Sequence, residues 1–390
     1  MKRIARPQGP LACIVGARPN YMKMAPLVRA FGTRPELPAA VLIHTGQHYD
    51  AEMNEQLFGD LELPPPDLNL EVGSGTHAVQ TAEIMRRFEP VVEELAPRCV
   101  VVVGDVNSTL ACSLVASKMR TPVVHVEAGL RSFDREMPEE VNRVLTDQLA
   151  ERLYTTERSA AANLAREGIA AELIRFVGNV MIDSLLCHRQ RAVPPRETLA
   201  RERMPTGFLD DPAGFGVVTL HRPSNVDTPS ALAESLAVLA DVAARVPLVW
   251  PVHPRTQANI GKFGLASVVE GARIAMLPPQ GYLEMLGLLA NARLTLTDSG
   301  GIQEEATAFD VPCLTMRDNT ERPITVEHGT NTLVGRDRAR VAACVDEILC
   351  TGGKRGRMPE LWDGRAAERI AADLAAWLAA RVERATAAAR

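Results

Sequence analysis

Between Cys99 and Val103 the chain reads Cys-Val-Val-Val-Val and then stops at Gly104-Asp105. A continuous run of β-branched side chains has no polar face to offer water, so it specifies a strand covered on both sides, as in a parallel sheet. Parallel neighbours need crossover connections, usually helices, and the flanking sequence has the spacing for them. Leu11 to Gly16 is an apolar run ending in Gly16-Ala17-Arg18-Pro19, followed by helical apolar spacing from Met22 to Phe31 with Lys23 in its first turn. Val41 to Thr45 ends at Gly46-Gln47-His48-Tyr49-Asp50, and Pro64-Pro65-Pro66 after it can only be loop. Thr76 to Leu95 predicts a long amphipathic helix. Asn107-Ser108-Thr109 caps a helix through Lys118, Pro122 to Val126 stops at Glu127-Ala128-Gly129 with Arg131 just beyond, and Glu139 with Glu140 opens a helix to about Ala150. This alternation predicts a doubly wound α/β domain.

After Ile174 to Asn179 comes an Arg-rich helical stretch and a loop from Gly207 to Gly216, which places a hinge near residue 180. Strand-like runs then restart: Val217 to Leu220 before His221-Arg222-Pro223, Leu248 to Val252 before His253-Pro254-Arg255, and Ile274 to Leu277 before Pro278-Pro279-Gln280. Leu294 to Thr297 and Pro312 to Met316 complete the series, the latter ending at Arg317-Asp318. The expected division is residues 1–179 and 180–364 as two Rossmann-like domains facing across a cleft, with residues 365–390 as a helix packing back on the first domain and Trp377 as its anchor.

Leu294 to Ala306 reads as a strand breaking into a helix across Gly300 and Gly301. Backbone N–H groups at a helix start lack internal partners and sit at the positive end of its dipole, so the junction suits a phosphate. Glu304 and Glu305, expected in the first turn, would repel a phosphate unless they face sugar hydroxyls, which predicts a phosphate joined to a polyol. An ordinary strand-to-helix turn capped by Ser299 fits the same letters equally well.

Composition removes several classes. The 390 residues suffice for two cores, and 46% hydrophobic with 23% charged residues is the balance of a globular enzyme. A formal net charge of -5 gives no general attraction to nucleic acid or anionic lipid. Seven cysteines without a C-x-x-C pair suggest reduced, buried fillers, and the absence of a long apolar segment makes a cytoplasmic location the expectation. There is no G-x-G-x-x-G after the first strand, no Walker A, no H-E-x-x-H and no Ser elbow, and no Cys/His spacing supports a metal. No cofactor is expected.

Ligands of open parallel sheets bind beyond the carboxyl ends of the strands. Arg18, Gln47, Asp105, Glu127, His221, His253, Asp298, Ser299 and Arg317 all fall at such ends. Taken singly each has a plainer use: Asp105 as a helix cap, His221 as a turn residue, Lys23 as a solvated helix residue, Glu139 and Glu140 as helix-start charges. Their convergence favours a site, expected in the cleft between the domains.

These residues resemble a known family. Gly16-Ala17-Arg18-Pro19 with Lys23-Met24-Ala25-Pro26, Gln47-His48, Gly104-Asp105, His125 to Arg131, Pro138 to Arg143, His221-Arg222, Pro251-Val252-His253, Asp298 to Ala306, Thr320 to Pro323 and Asp363-Gly364 occur in the order found in the non-hydrolysing UDP-N-acetylglucosamine 2-epimerases. The resemblance runs nearly end to end and implies a GT-B-like pair of Rossmann domains, a UDP-sugar substrate and a homodimer. It also implies inversion at C2 by elimination of UDP to a glycal and re-addition. A C2 hydrogen without an adjacent carbonyl is too weakly acidic for simple deprotonation and return.

On that resemblance Asp105 and Glu127 are the candidate acid and base at C2, in either order, with Glu139 orienting them; three carboxylates in one desolvated pocket would push their pKa values apart. Arg18, His221 and the amides of Ser299, Gly300 and Gly301 would hold the diphosphate. Lys23 and Arg322 would add cationic contacts, Glu305 would accept from the ribose hydroxyls, and Gln280 would lie at the uracil. Gln47, His48 and His253 are candidate regulatory positions. This chain has Pro223-Ser224-Asn225 where well-known bacterial members continue with Arg-Glu, and Asp50 where they carry Gln, which puts substrate activation in doubt. Alternatives at this point are a related UDP-sugar such as a diacetamido uronic acid, a hydrolysing epimerase, a GT-B glycosyltransferase, and a non-catalytic UDP-sugar sensor.

Overall fold

A computed structural model describes residues 9–46 and 51–388. The chain divides into two compact units, Met1–Leu186 with Glu360–Arg390, and Cys187–Pro359. The boundary expected between residues 179 and 180 falls at the start of the helix Val180–His188, which the division crosses.

In the first unit a seven-stranded sheet has the order β3-β2-β1-β4-β5-β6-β7. Its strands are β1 (Leu11–Val15), β2 (Ala40–His44), β3 (Leu68–Asn69), β4 (Cys99–Val103), β5 (Val123–Val126), β6 (Arg152–Thr155) and β7 (Ile174–Phe176), all paired in parallel. The valines of β4 are completely or almost completely buried, as a strand covered on both faces must be. Val100 and Val102, on one face of the strand, join a core with Ile14, Ile43, Phe88 and Leu153. The edge strands β3 and β7, and β6 beside β7, escaped sequence reading because they are short and carry polar residues. Val106, not the side chains of Asn107 to Thr109, occupies the cap position of the helix Asn107–Lys118, and Thr109 Oγ1 donates instead to the Val103 carbonyl at 3.0 Å.

The helix Ala366–Ala388 belongs to this unit. Asp183 receives the Ala366 and Ala367 amides at 3.1 and 2.7 Å, which caps the start of that helix. Ile370, Leu374 and Leu378 are its buried contacts, while the expected anchor Trp377 is only half-buried; Trp362, just before the helix, is the fully buried indole.

The second unit holds a six-stranded parallel sheet, order β10-β9-β8-β11-β12-β13. Here β8 is Gly216–Thr219, β9 Leu248–Pro251, β10 Ile274–Leu277, β11 Leu294–Thr297, β12 Cys313–Thr315 and β13 Asn331–Leu333. Its core gathers Val218, Leu236, Trp250, Leu296 and Val345.

Each sheet reverses its order at one place, between β1 and β4 in the first unit and between β8 and β11 in the second. Helices leave opposite faces there, so the loops that follow the strands splay apart and open a crevice. Arg18 and Asp105 follow the strands of the first reversal, and His221 and Asp298 those of the second.

Candidate functional site

At the first reversal Asn20 ties the two strand ends together: its Oδ1 accepts from the Gly16 and Ala17 amides at 3.2 and 3.0 Å, and its Nδ2 donates to the Val103 carbonyl at 2.9 Å. The next residue, Gly104, has φ +67°, and a Cβ there would stand 2.9 Å from Lys23 Nζ. Only glycine keeps this turn without strain or collision. Lys23 Nζ reaches Glu127 Oε1 at 2.7 Å, with both side chains buried. Glu127 itself takes φ +72°, a conformation costly for a side-chain-bearing residue and found where surrounding structure enforces it. The Tyr154 carbonyl accepts both the Glu127 and Ala128 amides and so fixes that turn.

Asp105 is held from the helix Pro138–Leu149. Arg143 Nε and Nη2 lie 2.9 and 2.7 Å from Asp105 Oδ2, while Asn142 Nδ2 donates to the Asp105 carbonyl at 2.9 Å. Arg143 Nη1 in turn meets Glu140 Oε2 at 2.6 Å, and Glu140 accepts the Ser132 and Phe133 amides, each at 3.0 Å. Glu139 stands half-buried one residue before Glu140, and Arg18 half-buried at the start of the helix Arg18–Gly32. Each of the two expected acid–base carboxylates thus has its own cation, Lys23 or Arg143, which offsets the mutual repulsion expected of carboxylates alone.

At the second reversal the buried Asp298 organises the loop after β8. It accepts the His221 amide at 3.1 and 3.0 Å, the Arg222 amide at 2.8 Å and Asn225 Nδ2 at 3.1 Å, and it pairs with His221 Nδ1 at 2.9 Å. Burial would raise its pKa, but the His221 charge and these donors outweigh it and hold the carboxyl below its ordinary value. The ring of His221 is half-exposed and lies 5.7 Å, centroid to centroid, from that of His253, whose Nδ1 accepts the Arg255 amide.

After β11, Ser299 sits at the cap position of the helix Gly300–Ala308 but makes no side-chain cap bond, and its amide donates to Thr297 Oγ1 at 2.9 Å. The Gly300 and Gly301 amides begin the helix, where no turn precedes them to supply an acceptor. Glu304 and Glu305 lie in the second turn rather than the first, and both are buried. Glu304 pairs with Arg322 at 2.9 Å. Glu305 is different: burial first, then the Glu304 charge, pushes its pKa up to about 8. The buried Tyr282 hydroxyl is in electrostatic contact with it.

Arg322, at the cap position of the short helix Pro323–Glu327, also meets Glu321 Oε1 at 2.6 Å, and Glu321 Oε2 takes Arg317 at 2.8 Å. A Cβ at Gly300 would fall 2.5 Å from Arg322 Nη1, so this pair lies directly against the glycine turn. Gln280 is buried and donates to the Pro278 carbonyl at 3.0 Å and to Glu202 Oε1 at 3.1 Å. Gln47 and His48 lie outside the described residues. Among the described residues no group of His, Cys, Asp and Glu is placed to hold a metal, and no helix is long and apolar enough to cross a membrane.

The structure therefore gathers Lys23, Glu127 and Asp105 around Gly104, and Ser299, Gly300 and Arg322 around the second glycine turn. Sequence reading gave no role to Arg143, Glu321 or Asn20. The first two lay inside quoted motifs, where a cation five residues after Pro138 and an acid beside Arg322 were the available signals; Asn20 had only its place after Pro19.

Comparison with known proteins bears on this arrangement. A family model described as UDP-N-acetylglucosamine 2-epimerase matches residues 33–375. The UDP-N-acetylglucosamine 2-epimerase of Methanocaldococcus jannaschii is 41% identical over 364 residues, which cover 92% of this chain and 97% of that protein. The UDP-2,3-diacetamido-2,3-dideoxy-D-glucuronate 2-epimerase of Pseudomonas aeruginosa is 42% identical over 329 residues, covering 83% and 88%. Among solved structures, the M. jannaschii UDP-GlcNAc 2-epimerase in complex with UDP-GlcNAc and UDP superposes with a TM-score of 0.84 at 40% identity, covering 93% of this chain and 99% of that one. The α/β, GT-B-like fold class expected from the sequence holds.

Proposed function

The chain belongs to the UDP-N-acetylglucosamine 2-epimerase family, and from that premise we propose that it interconverts UDP-GlcNAc and UDP-ManNAc by eliminating and re-adding UDP. It is an isomerase. A carboxylate takes the C2 proton, the C–H electrons form a C1–C2 double bond, and the C1–O bond breaks with its electrons leaving on UDP. In the return step a proton reaches C2 on the opposite face and the diphosphate oxygen bonds to C1.

The observation that carries the residue assignment is the Gly104 turn, where Asp105 and the Lys23–Glu127 pair converge. Asp105 and Glu127 act at C2, each paired with a cation that keeps proton transfer from leaving a lone buried charge. Lys23, expected to add a cationic contact to the nucleotide or its sugar, also acts through Glu127, and Glu139 contributes from the first turn of its helix. In the second unit His221, oriented by Asp298, and the Gly300 and Gly301 amides take the diphosphate as it gains leaving-group charge, and Arg18, a residue of the first unit, is the further cation assigned to it. Arg322 supports the glycine turn from behind, Glu305 with Tyr282 accepts the ribose, and Gln280 reads the base. A homodimer in the cytoplasm fits the family resemblance, and sedimentation of the purified protein tests the first part.

Incubation with UDP-GlcNAc in deuterated water tests the route. Deuterium at C2 of a UDP-linked manno product is the expected outcome. Stoichiometric free UDP would instead mean hydrolysis, and bound but unchanged substrate would mean a sensor. Faster exchange with the diacetamido uronic acid of the Pseudomonas relative would move the substrate assignment and leave the reaction class standing.

A further inference from the structure

His125 is completely buried in β5, below the turn that carries Asp105. Its Nε2 lies 2.8 Å from the Gly104 carbonyl oxygen and its Nδ1 lies 2.6 Å from Asp147 Oδ1. A carbonyl oxygen only accepts, and so does an ionised carboxylate. Asp147 is ionised on independent grounds: its second oxygen receives the Gly129 amide at 3.0 Å and Arg131 Nη2 at 2.7 Å. Burial would raise its pKa, but His125 and Arg131 hold it below the ordinary value. Both ring nitrogens of His125 therefore face acceptors, and a neutral imidazole, with one N–H, would turn a lone pair toward one of them.

We propose that His125 is a doubly protonated positioning residue whose two N–H groups clamp the Gly104 carbonyl to Asp147 and so fix the turn that presents Asp105 beside Glu127. The inference rests on the assignment of Asp105 and Glu127 to the C2 chemistry. Gly104 is held at both ends, its amide donating to the Val126 carbonyl at 3.1 Å and its carbonyl taken by His125. Rotating that peptide would carry Asp105 with it. The charged groups around the clamp are Asp147, then Arg131 and Glu167 beyond it at 2.6 Å from one another, with the Lys23–Glu127 pair on the far side of Gly104. Asp147 and Arg143, which holds Asp105, project from the same 138–149 helix, so one helix fixes both the turn and the carboxylate.

The test is nitrogen NMR of protein labelled with 15N-histidine, with the His125 ring identified as the signals missing from His125→Gln. If that variant does not fold, single replacements of the other histidines give the assignment by elimination. Protons on both ring nitrogens at neutral pH are expected, and a ring with one bare nitrogen overturns the proposal. In kinetics, His125→Gln should lose C2 exchange on the order of 10²-fold, the cost of misplacing a reacting group, with the UDP dissociation constant unchanged. Exchange that survives intact, or that falls only in step with UDP affinity, also overturns it. Failure of the wild-type enzyme to exchange C2 deuterium would sink the parent assignment and leave the NMR result untouched.

Discussion

Lys23 and Glu127 are 104 residues apart in the sequence and meet at 2.7 Å where almost no water reaches. Both charges are buried, so water offers little to replace the contact when one member is removed. Lys23→Met should destabilise the protein by about 3–5 kcal/mol, because it takes a cation at 2.7 Å away from a buried carboxylate. Adding Glu127→Gln should return part of that loss, a coupling that urea denaturation of the two single variants and the double variant measures. A neutral Lys23→Met would mean that the pair is not buried in solution.

Asp298 carries a different kind of dependence. Its carboxylate gathers the His221 and Arg222 amides, the Asn225 amide and the His221 ring, and its pKa is depressed below the ordinary 3.8. The unfolded chain binds this proton more readily than the folded one, so the stabilisation is complete above pH 3.8 and lost as pH falls through the lower folded value. Asp298→Asn should flatten that acid limb and, at neutral pH, cost a few kcal/mol by turning amide donors against one another. Chemical denaturation at a series of acidic pH values checks it; an unaltered limb would refute the assignment.

Glu305 has the opposite sign. Its folded pKa of about 8 lies above the ordinary 4.5, so between those values the folded chain holds the extra proton. Stability from this group is full below pH 4.5 and declines as pH rises toward 8. Glu305→Gln, neutral at every pH, should remove the decline and be the more stable protein in alkali. If Glu305 also accepts the ribose hydroxyls, Glu305→Ala should weaken UDP binding, and calorimetry giving the wild-type dissociation constant would remove that role.

Much of this was legible in the letters. The valine run Val100–Val103 gave the parallel sheet, since no other environment hides both faces of such a strand, and glycines after strand ends marked both crevices. What could not be read was the pairing. Arg143 against Asp105, or Glu321 between Arg317 and Arg322, depends on which strand lies beside which and on how far a helix turns before its side chain points inward. The short strands β3 and β7 were missed for a related reason: sheet neighbours, more than their own residues, hold them extended. Glu304 and Glu305 were placed a turn too early because the helix begins at Gly300, after the Ser299 cap, so the positions that carry them already face the interior.

That interior makes Gly300 the sharpest probe of the second crevice. A methyl group there would meet Arg322 Nη1 at 2.5 Å and Glu321 Oε1 at 2.6 Å. A long side chain could ordinarily swing away, but Arg322 is pinned by Glu304 at 2.9 Å and Glu321 by Arg317 at 2.8 Å, all of them buried. Gly300→Ala must therefore displace either this network or the start of the 300–308 helix, an overpacking cost of about 1–3 kcal/mol. If the helix-start amides hold the diphosphate, UDP affinity should fall by roughly 5- to 150-fold, since about 1.4 kcal/mol is tenfold. Gly32→Ala, where a Cβ meets nothing within 4 Å, is the control and should bind UDP as wild type does. A Gly300→Ala protein that loses stability in urea yet binds UDP with full affinity in calorimetry would show that the turn is built for packing and that the diphosphate is held elsewhere.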